Sequence, residues 1–121
     1  MTYKNLHAFL AKLPKATLSI QWGNDHVYKV GGKMFAVLGG PPDGKERSLS
    51  FKASDESFEI LTRLEGIIPA PYLARAKWVY LDKPQRLKAK ELEAYLTRAH
   101  TIVASALPKK TQKELGLLPE A

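Results

Sequence analysis

The chain has 121 residues, 45% of them hydrophobic and 26% charged, values that are typical of one globular domain and exclude a disordered chain. The absence of cysteine excludes a disulfide scaffold and thiolate chemistry, and no apolar stretch reaches the roughly 20 residues of a membrane span. We therefore expect a cytoplasmic protein without a secretory signal or a membrane partner, whose net charge of +7 favours attraction to polyanions.

The chain begins with a predicted helix and strand. Residues 2–13 place a capping Thr2 before apolar residues at helical spacing, and Pro14 ends the helix. Alternating apolar and polar residues then predict a strand over 17–22 whose buried face holds Leu18, Ile20 and Trp22.

Two hairpins are predicted next. The strands 27–30 and 33–38 flank Gly31 and Gly32, and a Gly-Gly pair between β-rich runs is typical of a two-residue hairpin turn. A longer loop rich in glycine and proline then leads to a fourth strand near 49–51.

The second half of the chain predicts helices around one or two further strands. Ser54 caps a second helix, which Gly66 ends and whose apolar face holds Phe58, Ile60, Leu61 and Leu64. The elements that follow are a short strand over 67–68, a strand over 78–81, a long helix over about 88–107 and a helical turn near 111–115.

This order of elements predicts the fold class. Consecutive strands joined by tight turns form an antiparallel sheet, and helices collected elsewhere in the chain cover one face of it. We therefore expect a single two-layer α+β domain over residues 1–121, with five to six strands and helices packed on one face. We also expect it to be a monomer.

The sequence contains no recognisable catalytic or metal-binding motif. His7, His26 and His100 lie on different predicted elements and are interpreted as exposed turn residues rather than ligands. No serine lies in a nucleophile elbow, and neither Gly-Gly pair matches a phosphate-binding loop. We therefore expect no catalytic residues, no metal, no cofactor and no enzymatic activity.

Two segments carry a family resemblance. The run KVGGKMFA over 29–36, followed by PAPYLAR over 69–75 and WVYLD over 78–82, resembles the MmcQ/YjbR family. The resemblance covers essentially the whole chain and implies a layered α+β fold with a frataxin-like outline. It also implies binding of duplex DNA through two β-hairpin wings, and it brings no catalytic residues. Lys77 stands where family members often have a histidine before the strand tryptophan.

If the hairpins are wings, their tips carry phosphate contacts. The expected DNA-binding residues are Lys29, Gly31, Gly32 and Lys33 on the first wing, Lys45 and Arg47 on the second, and Arg75 and Lys77 beside them. Lys83 and Arg86 could extend the same surface. Two alternatives stay open: Lys29 and Lys33 could instead guard a sheet edge, and Arg75 could pair with Asp82 or Glu65.

The predicted function is thus non-catalytic, weak and mostly non-specific binding of duplex DNA. One alternative is an interaction module that docks an acidic protein on the same surface. Another is a small-ligand protein with a pocket beside Tyr72 and Trp78.

Overall fold

The computed structural model describes residues 2–21, 25–39 and 48–117. Its helices are α1 (Tyr3–Lys12), α2 (Asp55–Leu61), α3 (Ala89–Ser105) and α4 (Lys109–Glu114). Its strands are β1 (Ala16–Gln21), β2 (Asp25–Val30), β3 (Lys33–Gly39), β4 (Ser48–Lys52), β5 (Ile67–Pro69) and β6 (Trp78–Leu81). Short 3-10 turns lie at Ala74–Ala76 and Pro84–Arg86. The predicted elements therefore occur in the predicted order.

The strands form one antiparallel sheet in the order β1-β2-β3-β4-β6-β5. This sheet and its helices confirm the two-layer α+β prediction. Only the last pair departs from sequence order, because β5 lies outside β6 and forms one edge of the sheet. None of the helices in the described ranges combines the length and the hydropathy that crossing a bilayer requires.

The two ends of the sheet carry different chain segments. The turn end is the end of the sheet that carries the β2–β3 turn at Gly31 and Gly32. Lys52 of β4 and Trp78 of β6, which are cross-strand partners, lie at the same end. The far end holds the start of β2 and the end of β3. Because β3 has seven residues, the two ends lie roughly 20 Å apart at the usual rise of a strand.

The core lies between the sheet and the helices. Tyr28, Ala36, Phe51 and Val79 are cross-strand neighbours on the helix-covered face, and all are buried. The helices contribute the fully buried side chains Leu6, Leu10, Leu92, Leu96 and Ala99. Burial of these apolar side chains is the main favourable contribution to folding.

A bulge brings one more aromatic ring into this core. The register between β2 and β3 shifts after Tyr28, so that Phe35 is an extra residue on β3. Its side chain is fully buried, and its ring meets His100 edge-on with the centroids 5.3 Å apart.

Two predicted buried faces are only partly buried. Leu18 and Ile20 are 48% and 60% exposed because β1 is an edge strand with a neighbour on one side only. Ile60 and Leu64 are also exposed. Ile60 lies two positions after Phe58 and therefore on another side of α2, and Leu64 follows the end of that helix at Leu61. Trp22 lies outside the described residues.

Candidate nucleic-acid interface

The β2–β3 turn requires both of its glycines. Gly31 and Gly32 have φ angles of +58° and +80°, the left-handed values that a tight hairpin turn of this kind needs. A Cβ on Gly31 would lie 2.5 Å from Cδ1 of Leu107, whereas a Cβ on Gly32 would meet nothing within 4 Å. One side of the turn thus packs against the chain after α3, and the other side is open.

Lys29 and Lys33 flank this turn on interior strands. Lys33 is exposed at the first position of β3, and Lys29 is half-buried between its partners Thr17 and Met34. Because β2 and β3 each have a neighbour on both sides, the alternative that these lysines guard a sheet edge is wrong. Their charge at the turn needs another explanation.

The structure adds Lys52 to the turn end. Lys52 is the last residue of β4, and its ammonium donates a hydrogen bond to the carbonyl of Ala76. The position of Lys52 could have been predicted from the sequence. In two successive antiparallel hairpins the third strand ends where the first one does, so the end of β4 lies at the Gly31–Gly32 end of the sheet.

Arg75 and Lys77 lie in the connection that leads into β6. Arg75 is exposed in a 3-10 turn. Lys77 has a left-handed φ of 62°, and its ammonium lies 4.9 Å from the centroid of the Phe58 ring, so that it is directed toward α2. Both residues therefore belong to the turn end, and Lys77 already has an aromatic partner.

Lys83 and Arg86 do not join that surface. Both follow β6 and therefore lie at the far end, separated from Lys77 by the length of that strand. Arg86 donates two hydrogen bonds of 2.8 Å to Asp82, so one of the two alternative partners of Arg75 is bound to another residue. The guanidinium of Arg86 also holds the pKa of the Asp82 carboxyl below its usual value.

The two predicted wings connect to opposite ends of the sheet. The first is the β2–β3 turn, whereas the chain leaves β3 at Gly39 and enters β4 at Ser48, both at the far end. Lys45 and Arg47, predicted on the second wing, lie outside the described residues. The described sheet therefore brings together Lys29, Gly31, Gly32, Lys33, Arg75 and Lys77.

The turn end has an excess of cations. Asp82–Arg86 is the ion pair found within the described ranges, and it lies at the far end. The acidic residues at the turn end are Asp55 and Glu56, in the first turn of α2, and they are outnumbered by the cations there. These cations are Lys15, Lys29, Lys33, Lys52, Arg75 and Lys77. Lys109 and Lys110 add to them, because they follow soon after Leu107, which packs against Gly31 of the turn.

The histidines are not the exposed turn residues that we expected. Nε2 of His7 lies 2.7 Å from Nδ1 of His26, and Nδ1 of His7 contacts the hydroxyl of Tyr28. His100 is buried and donates from Nε2 to the carbonyl of Pro14 at 2.6 Å. The pairing of α1 with the sheet brings His7 and His26 together, and no local pattern in the sequence indicates it.

Trp78 and Tyr72 lie beside two separate grooves. Trp78 is 4% exposed and contributes to a cavity of about 300 Å³ at the turn end. Tyr72 is fully exposed, has a φ of 67°, and borders a cavity of about 470 Å³ with Val37 and Ser50 on the sheet face opposite the helices. Its hydroxyl has no hydrogen-bond partner among the described residues.

Comparisons with known proteins agree with this architecture. The YjbR family model matches residues 11–102. The chain is similar to the Deinococcus radiodurans protein DR2400, a DUF419 domain, with 24% identity, a TM-score of 0.83 and coverage of 99% of this chain and 91% of that one. For a protein from Pseudomonas syringae the identity is 19%, the TM-score 0.68 and the coverage 85% and 99%. The comparison with curated proteins finds no match.

Proposed function

We propose that this chain, which belongs to the YjbR family, binds the phosphate backbone of duplex DNA at the turn end of its sheet, as a monomer and without catalysis. The observation that carries the proposal is the concentration of cations there, none in an ion pair with a described residue. Lysine and arginine contacts to phosphate supply affinity without sequence discrimination. We therefore expect weak and mostly non-specific binding.

The turn itself suits a phosphate contact. The position that a Cβ would take on Gly32 has nothing within 4 Å, so a phosphate oxygen can approach the backbone amides closely. Lys33 follows directly and is exposed, and Lys29 lies across the hairpin. The turn thus combines backbone donors with two ammonium groups.

Lys45 and Arg47, which lie outside the described residues, form a second proposed contact in the segment that joins Gly39 of β3 to Ser48 of β4, both at the far end. The roughly 20 Å between the two ends corresponds to about six phosphates of one strand at 3.4 Å each. Contacts at both ends would therefore require the sheet to lie along the duplex. Substitution of each pair separately tests this arrangement.

The first experiment is fluorescence anisotropy with a labelled random duplex at two salt concentrations. If four phosphates are neutralised, the logarithm of affinity falls with that of salt at a slope of about −3.6. Raising salt from about 50 to about 200 mM should then weaken binding roughly a hundredfold. A flat salt dependence, or no binding at the lower salt, would overturn the proposal.

Matched variants locate the contact. Replacing Lys29 and Lys33 with Gln should reduce the salt slope by about 1.8 and weaken binding equally for unrelated sequences. Lys83→Gln is the control, because Lys83 is exposed at the far end. The double change removes two charges and Lys83→Gln removes one, so a control effect of half the size would assign binding to total charge rather than to the turn end.

The second candidate is the docking of an acidic protein on the same end of the molecule. The exposed aromatic ring of Tyr72 favours it, because tyrosine is enriched among the energetically dominant residues of protein interfaces. Partners captured from a nuclease-treated lysate should persist and should be lost with Tyr72→Ala. Partners that disappear with nuclease would instead favour DNA.

A further inference from the structure

The cavity beside Trp78 has an apolar lining and a basic rim. It measures about 300 Å³ and opens at the turn end, between the sheet and the carboxyl end of α3. Met34 and Trp78 line it from the sheet, Val103 and Leu107 line it from the helix side, and Lys33 and Lys52 complete it. No acidic side chain belongs to its lining within the described ranges.

Small residues leave this space open. Ala76 and Ala106 line the cavity where larger side chains would fill it, and Pro108 follows the end of α3. Trp78 is buried, so its ring is held in place by the surrounding packing. A volume of this size lies at the lower end of the usual range for small-molecule pockets, about 300–1,000 Å³.

The charges of the cavity favour an anion. Lys52 is held by its hydrogen bond to the Ala76 carbonyl, and an ammonium group has further donors for a ligand. Lys33 is exposed, and neither lysine forms an ion pair with a described residue. The amide of Gln112 donates to the carbonyls of Ser105 and Leu107, at 3.2 and 2.6 Å, and so satisfies part of the negative end of α3.

We propose that this cavity binds a small amphiphilic anion. Lys33 and Lys52 hold its acidic head group through charge-assisted hydrogen bonds, and its apolar body lies between Trp78 and α3. An unpaired nucleobase fits less well, because Trp78 is only 4% exposed and offers little of its ring face for base stacking. This binding goes beyond the proposed function, and the two share Lys33 and Lys52, which both belong to the cations of the turn end.

The test uses octanoate as the probe, with binding measured by calorimetry. Octan-1-ol keeps the chain and lacks the charge, whereas acetate keeps the charge and lacks the chain. We expect each control to bind at least tenfold more weakly than octanoate. Equal binding of octanoate and octan-1-ol, or no binding of octanoate, would overturn the proposal.

Two matched substitutions on α3 and its cap locate the site. Ala106→Leu fills the cavity from an exposed position and should abolish octanoate binding. Ala94→Leu makes the same change at an exposed position of α3 outside the cavity and should leave binding unchanged. Circular dichroism confirms that both variants fold, and retained binding by folded Ala106→Leu would contradict the assignment.

Lys52→Met tests the head-group contact. Removing this ammonium should weaken the binding of octanoate at least tenfold while leaving the binding of octan-1-ol unchanged. In a Trp22→Phe background, the fluorescence of Trp78 should shift with octanoate and not with acetate. Octanoate affinity unaffected by Lys52→Met would show that the ligand lies elsewhere.

The same variants separate this proposal from DNA binding. Ala106→Leu should leave the affinity for duplex DNA unchanged, whereas Lys33→Gln should lower the affinity for both octanoate and duplex DNA. Octanoate binding by a chain that binds no DNA would support the cavity and reject the proposed function. Vesicles of anionic lipid should not retain the protein, because the cavity is proposed for a free small molecule; retention that depends on Lys52 would reject that choice.

Discussion

At the scale of single residues, Gly31 in the β2–β3 turn is constrained both by the backbone angles of the turn and by its contact with Leu107. Gly31 and Gly32 both adopt left-handed backbone angles, which the hairpin geometry alone demands. Only Gly31 also lies against Leu107, so that the turn is tied to the chain after α3. The two neighbouring glycines should therefore respond differently to the same substitution.

We predict that Gly31→Ala destabilises the protein more than Gly32→Ala does. Both changes impose a left-handed backbone on alanine, at about 1 kcal/mol or more each. Gly31→Ala also forces its Cβ against Leu107, and overpacking of this kind costs about 1–3 kcal/mol further. Urea unfolding of the two variants measures the difference. Equal losses would mean that Leu107 moves aside freely.

At the scale of secondary-structure elements, the connection from β6 to α3 depends on polar contacts at the far end. The backbone N–H of Asp82 donates to the carbonyl of Gly66 at 3.2 Å, and the side chain of Arg86 passes where a Cβ on Gly66 would lie. The Asp82–Arg86 ion pair joins two side chains that are four residues apart in this connection. A group of contacts this exposed should depend on pH and salt.

We predict that Asp82→Asn lowers the free energy of unfolding at neutral pH and not in acid. Arg86 lowers the pKa of Asp82 in the folded protein, first by its hydrogen bonds. The pair therefore stabilises the fold above the unfolded pKa of Asp82, and this contribution is lost as pH falls through the lower folded value. Unfolding from pH 7 to pH 2 measures it.

High salt provides the control for this prediction. Because the pair is exposed, screening at 1 M salt should reduce the difference between wild type and Asp82→Asn at pH 7. A difference that persists unchanged in acid would mean that the substitution acts through something other than the charge of the Asp82 carboxylate.

At the scale of the whole molecule, the two edges of the sheet differ in protection. β5 is three residues long and includes Pro69, which cannot donate to another strand. β1 is six residues long, carries no charged residue, and exposes Leu18 and Ile20. An uncharged edge with exposed apolar side chains is the part of a sheet most prone to pair with another chain.

We predict that Ile20→Lys reduces aggregation on heating without a large loss of stability. Ile20 is 60% exposed, so its replacement should change the free energy of unfolding by no more than about 0.5 kcal/mol. Light scattering during heating measures aggregation. Thr17→Lys adds the same charge to β1 and keeps Ile20; an equal effect of both changes would implicate charge alone.

The local part of the candidate site could be predicted from the sequence. Gly31 and Gly32 between two β-rich runs indicate a hairpin, and Lys29 and Lys33 necessarily flank its turn. The positions of Lys83 and Arg86 could not be inferred in the same way. Although both are close to Lys77 in sequence, β6 carries them to the far end of the sheet. Lys52, distant in sequence, lies at the turn end.

The helices, most of the strands and their antiparallel order could be predicted from the amino-acid pattern, because periodicity, caps and turn residues act between neighbours along the chain. The tertiary structure placed Lys83 and Arg86 away from Lys77, put β5 outside β6, and brought His7 to His26. It also created the cavity between Trp78 and Leu107. Such contacts arise from packing between elements far apart in the chain, and no local pattern records them.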